Sequence, residues 1–536
     1  MKKLSVRNEI FRFLISFLAL AIFLLILNLP PSQLSEANSI PLGSIYLPIV
    51  NNTNSYDWLQ FNGDASHSGN NTLEQQISTS SVAQLHQLYQ VTLPSVADGA
   101  PAYLTHVNTS SGLRDLVFLT TRAGHILALD AHSGALIWSK QYGAAGCLIN
   151  NNQGRNEACY TTSSPAIDPN RKYVYSYGLD GFVHKYAVWD GTEIKTGGWP
   201  ELTTLKGYDE KGSSALSIVT ATNGVSYLYV AQAGYPGDQG NYQGHITAIN
   251  LANGSQKVFN TLCSNQAVHF VDSRITSGPD CFPETMGAIW ARPGVGYDPY
   301  HDRILMSTGN GTFQPSGFLW GDSVFSLNPD GMGISGNPLD SYTPENYQFL
   351  QDRDLDLGST APAILPVNAG KFPHLAVQGG KDSILRLLNL DQLSGQVGVG
   401  HTGGEVFTMT VPMGGVILTQ PAVWVNPADS STWVFVSNGA GLVGLQLVLN
   451  PSGDPTLVTQ WISSGGTSPL VANGVLFIAR SGLIRALNPT DGSTLWSDNH
   501  IGIIHWESPV VANGRLYISD KNATDQNGNL TAYTLP

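Results

Sequence analysis

Three aspartates alternate in DRDLDLGS, at Asp352, Asp354 and Asp356. In an extended strand they would share one face and repel one another unless a cation lay between them, so this segment is the first candidate for cation binding or proton transfer. Lys381 stands in Gly-Gly-Lys-Asp, a turn sequence, and Asn310 in Thr-Gly-Asn-Gly, the pattern of a tight hairpin. The 13 histidines form no pair at metal-ligand spacing. His184, His245, His401 and His505 read individually as hydrogen-bonded structural residues, and the loop Gly-His-Thr-Gly-Gly-Glu (400–405) is long enough to reach a central site. Cys147, Cys159, Cys263 and Cys281 are an even set of four, and proximity favours two disulfides, Cys147 with Cys159 and Cys263 with Cys281. Without a Cys-x-x-Cys pair, covalent haem attachment, a thioredoxin-type centre and the usual zinc ribbon are excluded. No Gly-x-Ser-x-Gly elbow, P-loop or dinucleotide fingerprint occurs either.

The composition says what must hold these side chains. Only 12% of residues are charged, 42% are hydrophobic and 57 are glycine, which points to turn-rich β structure with a large core. With 26 basic against 39 acidic residues and a net charge of −13, nucleic acid is not a main partner, because phosphate binding needs clustered Lys and Arg. A small-residue or Pro step into an apolar run recurs eight times: GAPAYL at 99, SSPAID at 163, SSALSIV at 213, MGAIWA at 286, TAPAIL at 360, TQPAVW at 419, TSPLVAN at 467 and ESPVVAN at 507. The mean period is roughly 58 residues. Each step predicts one strand, followed by a second with apolar–polar alternation (DLVFLTT, KYVYSYG, RLYISD), a turn, and a third (GHILALD, GLIRALN). Ala128, Gly134 and Trp138 repeat at the same spacing as Ala486, Gly492 and Trp496, which predicts a tight turn and an outer strand whose Trp packs between neighbours.

Sheets that cannot bury both faces alone are best arranged radially. After Glu507 the last unit has only three strands, while Leu88 to Leu93 (LYQVTL) stands unclaimed ahead of the first. The expected fold is therefore all-β: an eight-bladed propeller of four-stranded blades over residues 58–536, its ring closed by an N-terminal strand in the last blade. A packed β-sandwich array is the alternative, against which the missing fourth strand argues.

Lys2, Lys3, Arg7 and Arg12 precede an apolar run from Phe13 to Leu29, and Ser35-Glu36-Ala37 gives a small-x-small cleavage pattern. Residues 1–37 are thus a signal peptide or a retained N-terminal membrane anchor, and 38–57 a linker. Either way the remainder is expected outside the cytoplasm, secreted, periplasmic or on the cell surface, with membrane contact only through residues 13–29.

With these repeats in place, the chain resembles the quinoprotein dehydrogenase family, eight-bladed propellers built from PQQ repeats. WLQFNGDASHSG (58–69) is similar to that family's opening segment, and the Ala-Gly-Trp spacing to its tryptophan-docking motif. The resemblance implies PQQ and a Ca²⁺ ion in the central funnel. GAIWARPGVGYDPYHDRILMSTGNG (287–311) resembles the segment carrying the Trp that stacks on PQQ and a calcium-ligand Asn, which implies Trp290 and Asn310. DRDLDLGS (352–359) resembles the segment of the catalytic base, implying Asp354 or Asp356, with Asp354 also a candidate metal ligand. VQGGKDSILRLLNL (377–390) resembles the stretch whose basic residue contacts the quinone oxygens, implying Lys381. The chain departs from the pattern in three places. Cys159-Tyr160 stands where adjacent cysteines are usual, and PGDQGNYQGHITAIN (236–250) offers Asp238 but no calcium-binding Glu. The Trp-Asp pair around the base is replaced by the three alternating aspartates.

Two classes of function follow. One is an exported propeller that binds a small molecule, protein or glycan through its funnel or one face, without full quinoprotein catalysis. The alternative is a divergent PQQ- and Ca²⁺-dependent alcohol dehydrogenase that passes electrons to a separate acceptor.

Overall fold

Alternating apolar and polar positions close into antiparallel hairpins, and the hairpins stack in fours. The computed structural model describes residues 55–143, 147–149, 157–236, 238, 240–272, 276–522 and 527–536. The expected export segment and most of the linker lie outside these residues. The described chain forms an eight-bladed β-propeller of four-stranded antiparallel sheets. Blade 1 shows the pattern, running outward from Ala102–Thr109 through Gly112–Thr120 and His125–Asp130 to Leu136–Gln141. The inner strands of blades 2 to 8 are Ala166–Ile167, Ser217–Thr220, Gly296–Asp298, Ala363–Ile364, Ala422–Val425, Leu470–Ala472 and Val510–Ala512.

The repeated Ala-Gly-Trp spacing has a direct cause. Ala128 pairs with Trp138 across the outer hairpin, and Ala486 with Trp496. The Trp138 indole then lies on Gly191 of blade 2, where a Cβ would come within 2.6 Å of the ring, and Nε1 donates to the Val188 carbonyl at 2.9 Å. Trp461 docks on Gly492 in the same way and donates to the Pro489 carbonyl, and Trp496 donates to the Leu85 carbonyl. Each of these links ties one blade to the next.

Ring closure follows the expectation. His86–Leu93 pairs with Gly528–Thr534 as the outer strand of blade 8, two residues longer than LYQVTL suggests. The segment before it does something the sequence does not announce. Residues 58–71 run along the inner strands as a belt. Trp58 exchanges backbone bonds with Tyr103, Leu59 accepts from Ile167, and the Gln60 amide both accepts from and donates to the backbone of Ile218. Further along, the carbonyls of Ala65, Ser68 and Gly69 accept from Tyr297, Val423 and Val471, and Asn71 Nδ2 donates to the Val511 carbonyl. Seven blades are tied to one strand of chain in this way.

The expected inner strand MGAIWA needs correction. Ala288 and Ile289 are fully buried but unpaired as a strand, and the inner strand of blade 4 starts later, at Gly296. The apolar run records burial against the ring axis rather than sheet pairing. The disulfides join Cys147 to Cys159, with Cα atoms 5.5 Å apart, and Cys263 to Cys281, at 6.0 Å. Among the described residues no helix is long and apolar enough to cross a membrane.

Candidate functional site

The loops that feed the inner strands converge on the ring axis and enclose a cavity of about 320 Å³. The belt lies further along the same strands. Trp290, Asp238, Asp354, Asp356 and Lys381 all line this cavity. Trp290 is held edge-on by Tyr242, whose ring lies 6.1 Å away, and Tyr242 in turn donates to Asp238 Oδ1 at 2.6 Å. Burial holds the Asp238 carboxyl above the usual carboxylate range.

The three alternating aspartates do not share a strand face, contrary to the extended reading. Asp352 lies on a short helix, Tyr347–Arg353, whose chain turns left-handed at Asp354 (φ 52°) and then enters a 3₁₀ turn at Leu357–Ser359. The turn ends the strand-like alternation: Asp352 and Asp354 are exposed, Asp356 is buried, and Asp354 and Asp356 come together on one side chain. Repulsion is relieved by Lys381, whose Nζ lies 2.7 Å from Asp354 Oδ1 and 2.5 Å from Asp356 Oδ2. Burial raises the Asp356 carboxyl above its ordinary value, with Lys381 opposing that rise. Against its own burial, Lys381 is held protonated by the two carboxylates, so its pKa is raised.

Asn310 sits behind Asp356 rather than on the cavity wall. Its backbone N–H donates to Asp356 Oδ1 at 2.7 Å, its Nδ2 donates to the Gln351 carbonyl, and its buried Oδ1 has no partner. Asp238, Asp354 and Asp356 do not gather into a three-ligand cluster among the described residues. Nearby, burial, reinforced by Asp356, pushes the Asp322 carboxyl up to about 8. One of its oxygens accepts from Leu357 N at 3.0 Å and the other is unpartnered. A carboxyl raised in the folded state contributes stability that is complete below its unfolded pKa of 3.8 and is lost as pH rises to about 8. Asp322→Asn should therefore gain stability over the native protein as pH rises from about 4 to 8, with the gap constant above that range; melting curves across pH check this.

Another part of the wall was not anticipated. Lys211 and Arg292 line the cavity with Tyr160, His505 and Trp506, and neither has a carboxylate within salt-bridge distance among the described residues. Lys211 Nζ has only Thr162 Oγ1, at 3.3 Å, and the Tyr160 ring, at 4.9 Å. Burial pushes its pKa down to about 7. Arg292 donates to the carbonyls of Ser213, Asp98 and Thr162, while its buried Nε finds no acceptor. Burial lowers its pKa to about 10. Behind them, burial pushes Glu507 up to about 8. Arg292 had one readable signal, a guanidinium inside the apolar run AIWARPGV of a chain poor in charge. Lys211 had none, since GYDEKGSS reads as an ordinary polar loop.

Of the four singled-out histidines, His505 faces the cavity. His184 is buried between Asp180 and Glu193, His245 bridges the carbonyls of Gln243 and Thr203, and His401 meets the Val397 carbonyl. The 400–405 loop contributes nothing to the described lining. Its Glu405 accepts from Tyr342 instead. The Cys147–Cys159 disulfide packs with Tyr160 and Tyr235, so it braces the cavity wall through Tyr160.

The fold is shared with solved quinoprotein structures. A europium-containing methanol dehydrogenase is similar with a TM-score of 0.61 and 15% identity, over 89% of this chain and 98% of that one. The quinohemoprotein alcohol dehydrogenase from Comamonas testosteroni gives a TM-score of 0.59 and 16% identity, over 89% of this chain and 80% of that one. Quinohemoprotein alcohol dehydrogenase ADHIIG from Pseudomonas putida HK5 gives 0.57 and 14%, over the same shares. At these identities the likeness concerns architecture: the chain has the eight-bladed propeller fold of the quinoprotein dehydrogenases. No protein-family model matches the chain, and no curated protein matches it in sequence.

Proposed function

We propose that the chain is an extracytoplasmic propeller whose axial cavity binds a compact, planar, multiply anionic small molecule. The reading is carried by Lys211 and Arg292, two buried cations on the cavity wall with no carboxylate at salt-bridge distance among the described residues, Asp98 and Glu507 acting on them only from further off. Burying a cation unpaired is costly, and an anion in the cavity would complete both. Tyr160, Trp290 and Trp506 add aromatic surface, and about 320 Å³ lies at the low end of small-molecule pockets. PQQ, a tricyclic quinone with three carboxylates, is the ligand the family resemblance implies, and these residues fit it. The two disulfides support a location outside the cytoplasm.

The dehydrogenase reading is favoured by Asp356 and Lys381 at the same cavity. A bound quinone supplies a two-electron oxidation. In that reading Asp356, its carboxyl raised by burial, would take the hydroxyl proton of an alcohol, and Lys381 would be placed to hold a quinone oxygen. Calcium fits less well. It takes six to eight oxygens, whereas Asp356 Oδ1 already accepts from the Asn310 backbone and Lys381 already supplies the positive charge between Asp354 and Asp356.

The test is a titration with PQQ, alone and with Ca²⁺ or a lanthanide ion, followed by tryptophan fluorescence and melting temperature. Saturable quenching at one PQQ per chain is expected, weakened in Trp290→Ala, with about 2.7 kcal/mol of added stability at 100-fold over Kd. No binding at high micromolar PQQ would sink the PQQ assignment. Binding without alcohol-dependent reduction of a dye acceptor would sink the dehydrogenase reading alone.

A further inference from the structure

At the end of the ring opposite the cavity, three side chains from two neighbouring blades meet. Asp298 ends the inner strand of blade 4, and His301 follows in the hairpin before Arg303–Ser307. His374 precedes Leu375–Gln378 of blade 5, and Asp391 follows Ile384–Asn389 of the same blade. One ligand atom from each of His301, His374 and Asp391 lies within 4.8 Å of the others. Asp391 Oδ1 is 2.9 Å from His301 Nε2 and 2.9 Å from His374 Nδ1.

The protons decide what this geometry means. His301 is bracketed by two carboxylates, with Nδ1 2.7 Å from Asp298 Oδ2 and Nε2 facing Asp391. Asp298 is only 3% exposed at its side chain and takes the Nδ1–H, which leaves the Nε2 lone pair aimed at a carboxylate lone pair. That contact needs a positive species between the two atoms, a second proton or a metal ion. A carboxylate on the far nitrogen of a metal-binding histidine fixes its tautomer and raises its basicity, which is the role Asp298 is placed to play. Asp298 Oδ1 also accepts from the Tyr300 backbone, and the Tyr300 ring stacks on His374 at 4.6 Å. Both imidazoles are thus oriented by the same short segment.

We propose that His301, His374 and Asp391 bind a divalent transition ion, with Zn²⁺ as its readiest representative, and so clamp blades 4 and 5. Two imidazole nitrogens with one carboxylate suit zinc rather than calcium. Bonds of about 2.0–2.1 Å around a tetrahedral ion separate ligand atoms by about 3.4 Å, so the present contacts must open by about half an ångström. The side chains are 22%, 26% and 40% exposed, which allows this movement and gives the ion access from solvent. Three protein ligands leave a fourth position for water. The site is independent of the axial cavity and of whatever binds there.

The experiment is competition for Zn²⁺ between the chelator-stripped protein and a chromophoric indicator. One equivalent per chain is expected, unaffected by millimolar Ca²⁺. Its affinity should fall at least tenfold in His374→Ala and in Asp391→Asn, and about 10- to 100-fold in Asp298→Asn, which leaves all three ligands in place. Acidification should release the ion, because proton and metal compete for the same nitrogens. Melting curves of the stripped variants show that they are folded. Zinc binding no tighter than millimolar, or unchanged in folded His374→Ala, would overturn the proposal and leave an imidazolium–carboxylate clamp.

Discussion

Lys211→Met should make the folded protein more stable and weaken its binding of PQQ. The ammonium is buried at the cavity wall, bonded to one hydroxyl and facing one aromatic ring, with the like charges of Arg292 and Arg122 and the carboxylate of Asp98 acting on it from further off. Burial brings its pKa from 10.5 to about 7. A shift of that size is worth on the order of 5 kcal/mol against the charged form. Met keeps the volume and removes the charge; allowing for the lost Thr162 bond, a gain of roughly 2 kcal/mol is expected in melting experiments. The sign with pH is fixed. A base whose pKa is lowered by folding penalises the fold fully below the lower value, and the penalty fades as pH rises from about 7 to 10.5. The advantage of Lys211→Met should therefore be widest below pH 7 and close towards pH 10.5. In a PQQ titration the same variant should bind at least tenfold more weakly, since one side of a buried ion pair is missing. A variant that is less stable at pH 6, or binds as well as the native chain, would show that Lys211 is not held in reserve for an anion.

The second large effect concerns the belt. A chain beginning after Asn71 keeps the closing strand His86–Leu93 but loses every bond that residues 58–71 make to the inner strands. Seven blades then expose inner edges, and the buried Trp58, Phe61 and His67 are gone. Deleting one buried Trp alone costs about 3–5 kcal/mol, so Trp58→Ala should lower the melting point by several degrees or more. Removal of the whole belt is expected to leave no cooperative unfolding transition for a monomer, by calorimetry and by light scattering. A truncated chain that still melts as one sharp unit would mean that the blades hold the ring unaided.

The propeller was legible because its signals are local and repeated. A step into an apolar run, an alternating strand and a Gly turn each act within a few residues, and recurrence multiplies them. The fourth unit misled because Ala288 and Ile289 are buried by the axis, and burial alone does not distinguish a strand from a packed loop. The aspartates misled for a related reason. Spacing gives a common face only if the chain stays extended, and the left-handed turn at Asp354 breaks it. Trp290, Asp356 and Lys381 could be placed because a resemblance named their segments. Lys211 and Arg292 acquire meaning only from what is missing around them, which no sequence pattern records. His301 and His374 come from different blades, so a search for ligands at fixed spacing passes over both.

The belt also sets a timetable. Residues 68–71 and 86–93 are synthesised long before Val423, Val471, Val511 and Gly528–Thr534, with which they pair. These segments stay uncommitted until the later blades exist, and contacts across such separations form slowly. A nascent or truncated chain has no inner circuit to complete. The closed ring thus acts as a quality check on synthesis itself: only a chain that carries blades 7 and 8 can lock, and one that stops short of them is left open to proteases.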